Sequence, residues 1–345
     1  EMRESDWSSD VCSSDLTINK AHFFHNLDVL CAKAGGKTKL MAVLKDNAYG
    51  HDLRLMASLA SEYGLRKAAV KNIEEAEQIA DLFEEVLVLV DHPTSEKLSP
   101  SISLAAHSYE ALQALPSGTS IHLSFDSGMH RNGIKEDQID EAMALIYAKK
   151  LHLKGVFTHF RSSDELSSEF FWQRANFERA KKRIRALIEQ YQLPHALFHS
   201  CNSSALLRTD TIGDDNYART GIAMYGYTTL DPLIATFDLK PVLALWAEKL
   251  SSRVLKKGER VGYGGVYEAP VDEVISTYDI GYGDGFFRFD GSSPIAMADG
   301  SLTKGRMSMD SFCLGGDAQK VCMFEDANPL AKQFRTISYE IITKL

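Results

Sequence analysis

No apolar run in the 345-residue chain approaches the length of a membrane-spanning helix, and its first residues lack the apolar stretch of a signal peptide. Basic residues are in deficit. Lys and Arg number 38 against 47 Asp and Glu, and the net charge of −9 argues against nucleic acid or an anionic membrane as partner. Cysteine is scarce and odd in number: Cys12, Cys31, Cys201, Cys313 and Cys322 have no zinc or redox spacing and read as free thiols. Together these absences predict a cytoplasmic protein. No Gly-rich dinucleotide fingerprint follows the first apolar run, which weighs against an open, doubly wound nucleotide-binding sheet.

What is present is an ordinary globular composition, 44% hydrophobic and 25% charged, long enough for a large domain and a smaller one. The opening "EMRESDWSSDVCSSDL" has no periodicity, and "DWSSDVCSSDL" resembles translated sequencing-adapter read-through. Residues 1–16 are therefore expected to be a non-native or disordered leader without function. From residue 38 to residue 226, eight apolar runs alternate with helical patterns: "KLMAVLK", "KAAVK", "EVLVLVD", "SISLAAH", "SIHLSFD", "LKGVFTH", "HALFHSCN" and "TGIAMYG". One helical pattern, "NIEEAEQIADLF", opens on a capping box of Asn72 and Glu75; another, "EFFWQRANFERAKKRIRALIEQY", has apolar residues at helical spacing. Strand–helix alternation indicates parallel sheet. Most runs end on a residue with chemistry, namely Lys45, Lys71, Asp91, His107, Asp126, His159, Asn202 and Tyr225. Eight such ends describe an α/β fold, a (β/α)₈ barrel over 17–235 with its active site at the C-terminal rim. Beyond residue 236 the runs are strand-like, bounded by Gly and without long helices, predicting a mainly-β domain over 236–345.

Within "MAVLKDNAYGH", Lys45 stands where a buried strand ends. A partly desolvated amine there is a candidate for Schiff-base chemistry with a carbonyl substrate or with pyridoxal phosphate. Pyridoxal phosphate also needs a phosphate cradle and a partner for its ring nitrogen. "HSCNSSAL" supplies hydroxyls, and "YARTGIAMYG" supplies Arg219 and the Gly221 and Ile222 amides.

From about residue 17 onward these motifs resemble the bacterial alanine racemases, the barrel-type pyridoxal-phosphate family. The resemblance implies that Lys45 in "AVLKDNAYGH" carries the cofactor, with Tyr49 near its phosphate. Arg131 in "DSGMHRNGI" then faces substrate and cofactor, and His159 in "FTHF" lies over the cofactor and contacts the catalytic tyrosine. "HSCNSSA" brings His199, Asn202 and the phosphate-binding Ser203. "ARTGIAMYG" brings Arg219 to the pyridine nitrogen and the Gly221 and Ile222 amides to the phosphate. In the second domain, "ERVGYGGVYEA" contains a second catalytic residue, Tyr263. "GYGDG" carries Tyr282, "RMSMD" the substrate-binding Met309 with Asp310, and "ISYEI" the phosphate-binding Tyr339.

The implied reaction is interconversion of L- and D-alanine by two bases on opposite faces, Lys45 for the D-isomer and Tyr263 for the L-isomer, supplying D-alanine for peptidoglycan. A phenol ionises near pH 10 in water and needs cations nearby to act as a base; Arg219, His199 and His159 are the candidates. An arginine on the ring nitrogen does not surrender its proton, which leaves that nitrogen unprotonated and suppresses transamination. The resemblance further implies a homodimer with shared sites, and no metal. His107 and His122 read as structural, Tyr225 and Tyr227 as packing residues, Asp126 as a loop-orienting carboxylate, and Lys71 receives no role.

Two departures stand out. In many family members a carbamylated lysine near "DSGM" positions the equivalent of Arg131, and here that position is Ser124, so Arg131 must be held by something else, a neutral side chain, water or a chloride ion. The chain also stops six residues after Tyr339, which suggests a gene fragment lacking a final strand or turn. Competing readings are a serine or broad-spectrum racemase of the same fold, a related barrel decarboxylase, and a non-catalytic pyridoxal-phosphate-binding barrel protein. The decarboxylase's Gly-rich phosphate loop and late cysteine motif are missing, and the binding protein would lack Tyr263 and the second domain.

Overall fold

The computed structural model describes residues 15–91, 97–291 and 293–345. The Cα positions of the described residues group into two compact units, one within residues 24–48 and 53–240, the other within residues 15–23, 49–52 and 241–345. Among the described residues no helix is long and apolar enough to cross a membrane.

Strand β1 (Asp15–Ile18) pairs antiparallel with β10 (Leu243–Leu255). Residues 1–14 of the expected leader lie outside the described residues, whereas Asp15 and Leu16 form half of this strand. The first unit is an eight-stranded parallel sheet. In chain order its strands are β2 (Leu40–Val43), β3 (Lys67–Val70), β4 (Glu85–Val88), β5 (Ile102–Ala106), β6 (Ser120–Ser124), β7 (His152–Phe157), β8 (Leu197–His199) and β9 (Ala218–Thr220). Each pairs with the next as far as β8, and β9 pairs with β2. Backbone bonds from Asn216 N to Phe198 O (2.7 Å) and from Arg219 N to Cys201 O (2.9 Å) bridge the remaining gap, so the barrel is nearly closed. The longest helix around it is Glu169–Gln190, whose buried Phe170, Phe177, Ile184 and Leu187 recur at helical spacing.

The eighth strand is shifted from the expected run. It is "ART", and Ile222–Tyr225 forms a 3₁₀ turn ended by Gly226 in the left-handed region. Tyr225 is therefore not a strand end: its ring is buried and its hydroxyl donates to Val43 O at 3.3 Å.

In the second unit, β10 is the long spine. Its first half pairs with β1 and β15 (Lys320–Phe324), and its second half with β13 (Glu273–Tyr278), which in turn pairs with β14 (Phe312–Gly315). A small ladder of β11 (Arg260–Val261) and β12 (Tyr267–Glu268) packs near a core of Leu255, Val261, Ala269 and Ile275.

The segment Lys45–Gly50 is a helical turn of unusual hand. Asp46, Asn47, Ala48 and Tyr49 have φ of 55°, 52°, 52° and 57°, and Gly50 follows at 81°. Four consecutive left-handed non-glycine residues each carry a steric cost, so the surroundings must hold them. Ala48 N donates to Leu44 O at 2.9 Å, Asn47 N to Glu75 Oε1 at 2.9 Å, and Leu53 N to Asn47 Oδ1 at 2.8 Å. At the end of the turn a Cβ on Gly50 would meet Ile342 O at 1.9 Å. Gly50→Ala is accordingly expected to lose about 3 kcal/mol of stability or more, read as a lowered midpoint in thermal or urea unfolding; an unchanged midpoint would contradict this packing.

Candidate active site

The C-terminal rim of the barrel gathers cations. Lys45 directly follows the Leu44 amide, which is tied to Ala69 O at 2.8 Å, and its Nζ lies 3.9 Å from Asp46. Asp46 also accepts from Lys71 Nζ at 2.8 Å, so one carboxylate stands between the two lysines. His159, just past β7, reaches solvent. The protein packed around its ring, and then the Arg219, Arg131 and Lys45 cations, push the imidazole down to about 3, and so keep it neutral. All three cations thus act on one histidine at one rim.

Arg131 is exposed and rides on the loop from Asp126 to Ile134. Backbone bonds secure this loop: Ile134 N to Ser124 O (2.8 Å), Gly133 N to His107 O (2.8 Å) and Asp126 N to Ile134 O (3.0 Å). Asp126 accepts from the Gly128 and His130 amides, at 2.9 and 3.0 Å. Ser124, at the end of β6, is buried, and its carbonyl contributes to holding the Arg131 loop.

Arg219 is buried on β9. Its Nη1 donates to His199 Nδ1 at 2.8 Å and to His199 O at 2.9 Å, while Nη2 donates to Thr158 O at 2.6 Å. Three of its five N–H bonds are therefore spent inside the barrel. Burial and the Arg219 cation hold the His199 imidazole well below its ordinary range. Its ring stacks between Phe157 (5.3 Å) and Tyr217 (4.5 Å). At the neighbouring ends of β8 and β9, the Gly221 amide points at Ser203 Oγ at 3.1 Å. The pairing of Ala42 with Thr220 sets Gly221 and Ile222 beside the chain leading to Lys45. Asn202 caps the helix Ser203–Arg208, accepting from Ala205 N at 2.9 Å, and also accepts from Ser163 Oγ at 2.9 Å.

In the second unit, Tyr49 and Tyr339 face each other with ring centroids 6.0 Å apart. Tyr282 and Met309 belong to two loops locked together: Gly283 N donates to Met309 O at 2.7 Å, Tyr282 N to Ser308 O at 3.3 Å, and a Cβ on Gly281 would lie 1.9 Å from Met309 O and 2.4 Å from Asp310 N. Asp310 Oδ1 would lie 3.6 Å from a Cβ on Gly283. Tyr263 occupies a turn between Gly262 and Gly264, both at positive φ, beside Arg306. It is 69% exposed, and Met309 (54%) and Tyr282 (37%) are exposed with it.

The family model for the alanine racemase N-terminal domain matches residues 18–229, and that for the C-terminal domain matches residues 242–345. The chain belongs to the alanine racemase family. It is 49% identical to the alanine racemase of Nitratiruptor sp. over 321 residues, covering 93% of each chain. It is 45% identical to that of Campylobacter concisus over 332 residues, covering 96% of this chain and 97% of the relative. The fold superposes on the Bacillus anthracis alanine racemase, solved with bound L-Ala-P, with a TM-score of 0.84 at 27% identity, covering 98% of this chain and 94% of that one. Membership makes the chain an enzyme, an isomerase of the alanine racemase type.

The motifs of this alanine racemase family member do not reveal everything behind the rim. Asp46, which joins Lys45 to Lys71, was not singled out by sequence reasoning, nor were Glu85 and Lys67. Glu85 opens β4 and accepts from His122 Nε2 at 2.6 Å and from Lys67 Nζ at 2.6 Å. Burial alone would raise its carboxyl, but the hydrogen bond from His122 and the Lys67 cation hold it below the ordinary carboxylate range. The only signal in the sequence was a glutamate at the head of a wholly apolar run.

Proposed function

We propose that the chain racemises alanine with pyridoxal 5′-phosphate held on Lys45. When bound, the cofactor supplies an electron sink that acidifies the substrate α-proton. The observation that carries this reading is the cationic barrel rim, where Lys45, Arg131 and Arg219 all act on His159. The donor set fits the group: one amine at a strand end, a guanidinium, a serine hydroxyl and backbone amides on adjacent strands. In this assignment Ser203, Gly221, Ile222, Tyr49 and Tyr339 hold the phosphate. Arg219 offers an N–H to the ring nitrogen, and His159 and Asn202 line the cofactor.

Arg131 takes the substrate carboxylate, with Met309 on the substrate side and Tyr282 and Asp310 shaping the loops around it. Lys45 moves the α-proton on one face and Tyr263 on the other; His159 and His199, expected from the sequence to add positive charge beside the phenol, are instead held neutral. Tyr263 serves the site of a second copy, in a two-fold homodimer with two composite sites. Its 69% exposure, together with the exposure of Tyr282 and Met309 in the same unit, supports a surface meant to be covered. The product would be the D-alanine used in peptidoglycan, made in the cytoplasm.

The purified protein, supplied with L-alanine and separately with L-serine, should form the D-isomer of alanine faster than that of serine. Faster turnover of serine would replace the substrate, and no D-isomer from either with cofactor present would overturn the reading.

A further inference from the structure

Five polar side chains join end to end through the interior of the barrel. Lys67 Nζ lies 2.6 Å from Glu85 Oε2, and Glu85 Oε1 lies 2.6 Å from His122 Nε2. His122 Nδ1 is 2.8 Å from His199 Nε2, and His199 Nδ1 is 2.8 Å from Arg219 Nη1. His122 and His199 have no exposure at all. Lys67 and Glu85 are the first residues of β3 and β4, and His199 is the last of β8. Because these strands run parallel, the chain climbs from the N-terminal rim of the barrel to the catalytic rim.

Its direction is fixed by chemistry. A carboxylate only accepts, a guanidinium only donates, and a neutral imidazole does one of each. Arg219 must therefore donate to His199 Nδ1, His199 Nε2–H to His122 Nδ1, and His122 Nε2–H to Glu85. A further proton on either ring would bring two N–H groups nose to nose in a buried site. Both imidazoles are thus neutral and both carry their hydrogen on Nε2.

The backbone is shaped to admit this arrangement. The pairing of β6 with β7 slips between Ile121 and His122, so that Ile121 faces Leu153 while His122 faces Gly155. A Cβ on Gly155 would lie 2.4 Å from His122 Nδ1 and 2.6 Å from Cε1. A bulge and a missing side chain together make the space for the ring.

We propose that Glu85 and His122 are positioning residues for Arg219, transmitting the Glu85 charge through two imidazoles to the guanidinium. The proposal rests on the role given to Arg219 under the proposed function, but the hydrogen-bond chain can be tested without it. Full-length protein labelled with ¹⁵N-histidine, carrying its cofactor, is read by long-range ¹H–¹⁵N correlation at neutral pH. His122→Gln and His199→Gln spectra assign the signals.

Both rings should show a protonated Nε2 and a bare Nδ1. Glu85→Gln removes the anion and should shift the His199 signals, although the two residues do not touch. Lys67→Met removes the cation that tempers Glu85, and should shift them the opposite way. Opposite signs are what charge transmission produces and what loosened packing would not. An imidazolium or an Nδ1–H on either ring would overturn the proposal, as would His199 signals unmoved by both substitutions or moved in the same direction. Turnover of alanine by Glu85→Gln should fall about tenfold with KM little changed, the scale of a weakened charged hydrogen bond. Full turnover in that variant, beside an active wild type, would remove the positioning role. A wild type that fails to racemise would strike the proposed function and leave the tautomer measurement to decide the chain.

Discussion

Lys45→Ala should lose racemisation by something on the order of 10⁵–10⁶-fold, the scale seen when a covalent catalytic group is removed. The loss is large because the proposal gives Lys45 two tasks, holding the cofactor and moving the α-proton on one face. Lys71 is the amine placed to compete, since it shares Asp46 with Lys45. Its Nζ, however, is engaged by Asp46 at 2.8 Å, and that pairing raises its affinity for its proton, leaving it a poor nucleophile. Borohydride treatment of the wild-type holoenzyme should therefore fix the cofactor on the peptide containing Lys45, and in Lys45→Ala on no lysine. Cofactor fixed on Lys71 in the wild type would reverse the assignment.

Tyr263→Phe tests the opposite face. The side chain is exposed and its turn is shaped by the flanking glycines, so losing one hydroxyl leaves the fold undisturbed. Exchange of the α-proton of L-alanine should fall by about 10²–10⁴, the worth of a positioned general base, while exchange from D-alanine stays within a few-fold. Equal losses for both isomers would reduce Tyr263 to a binding role. Mixing this variant with Lys45→Ala separates the two ways of building the site. If each site draws Lys45 from one copy and Tyr263 from the other, a mixed dimer has one doubly damaged site and one intact site. Random exchange at equal amounts makes about half the dimers mixed and about a quarter of all sites active. A site built within one chain would gain nothing. Activity at the mutant baseline, after mass spectrometry has verified exchange, would exclude the shared site.

The barrel was legible because its strands announce themselves twice, by apolar runs and by a reactive residue at nearly every end. The eighth run misled because "TGIAMYG" is as apolar as a strand. Gly221 and Gly226 bend it into a turn instead, and the true strand is the polar-looking "ART" before it. The left-handed turn after Lys45 was half visible: Asp46 and Asn47 tolerate positive φ, but Ala48 and Tyr49 do not favour it, and the local bond from Ala48 N to Leu44 O and the distant one from Asn47 N to Glu75 hold the turn together. The connection from Lys67 to Arg219 could not be read. Its members are scattered over more than 150 positions; Arg219 and His199 were marked by the resemblance alone, while Lys67, Glu85 and His122 each resemble a solvated strand end or a satisfied core histidine.

The slip between β6 and β7 also bears on how this sequence is free to drift over generations. Gly155 is open to a larger residue only in a chain that has already given up the ring of His122, because the two would claim the same volume. Neither change is tolerable in the other order: an alanine arriving first collides with the imidazole. A lineage can therefore fill this position by one route only, with the histidine ring lost first, and even then a Cβ at 155 lies 3.0 Å from the Leu197 carbonyl.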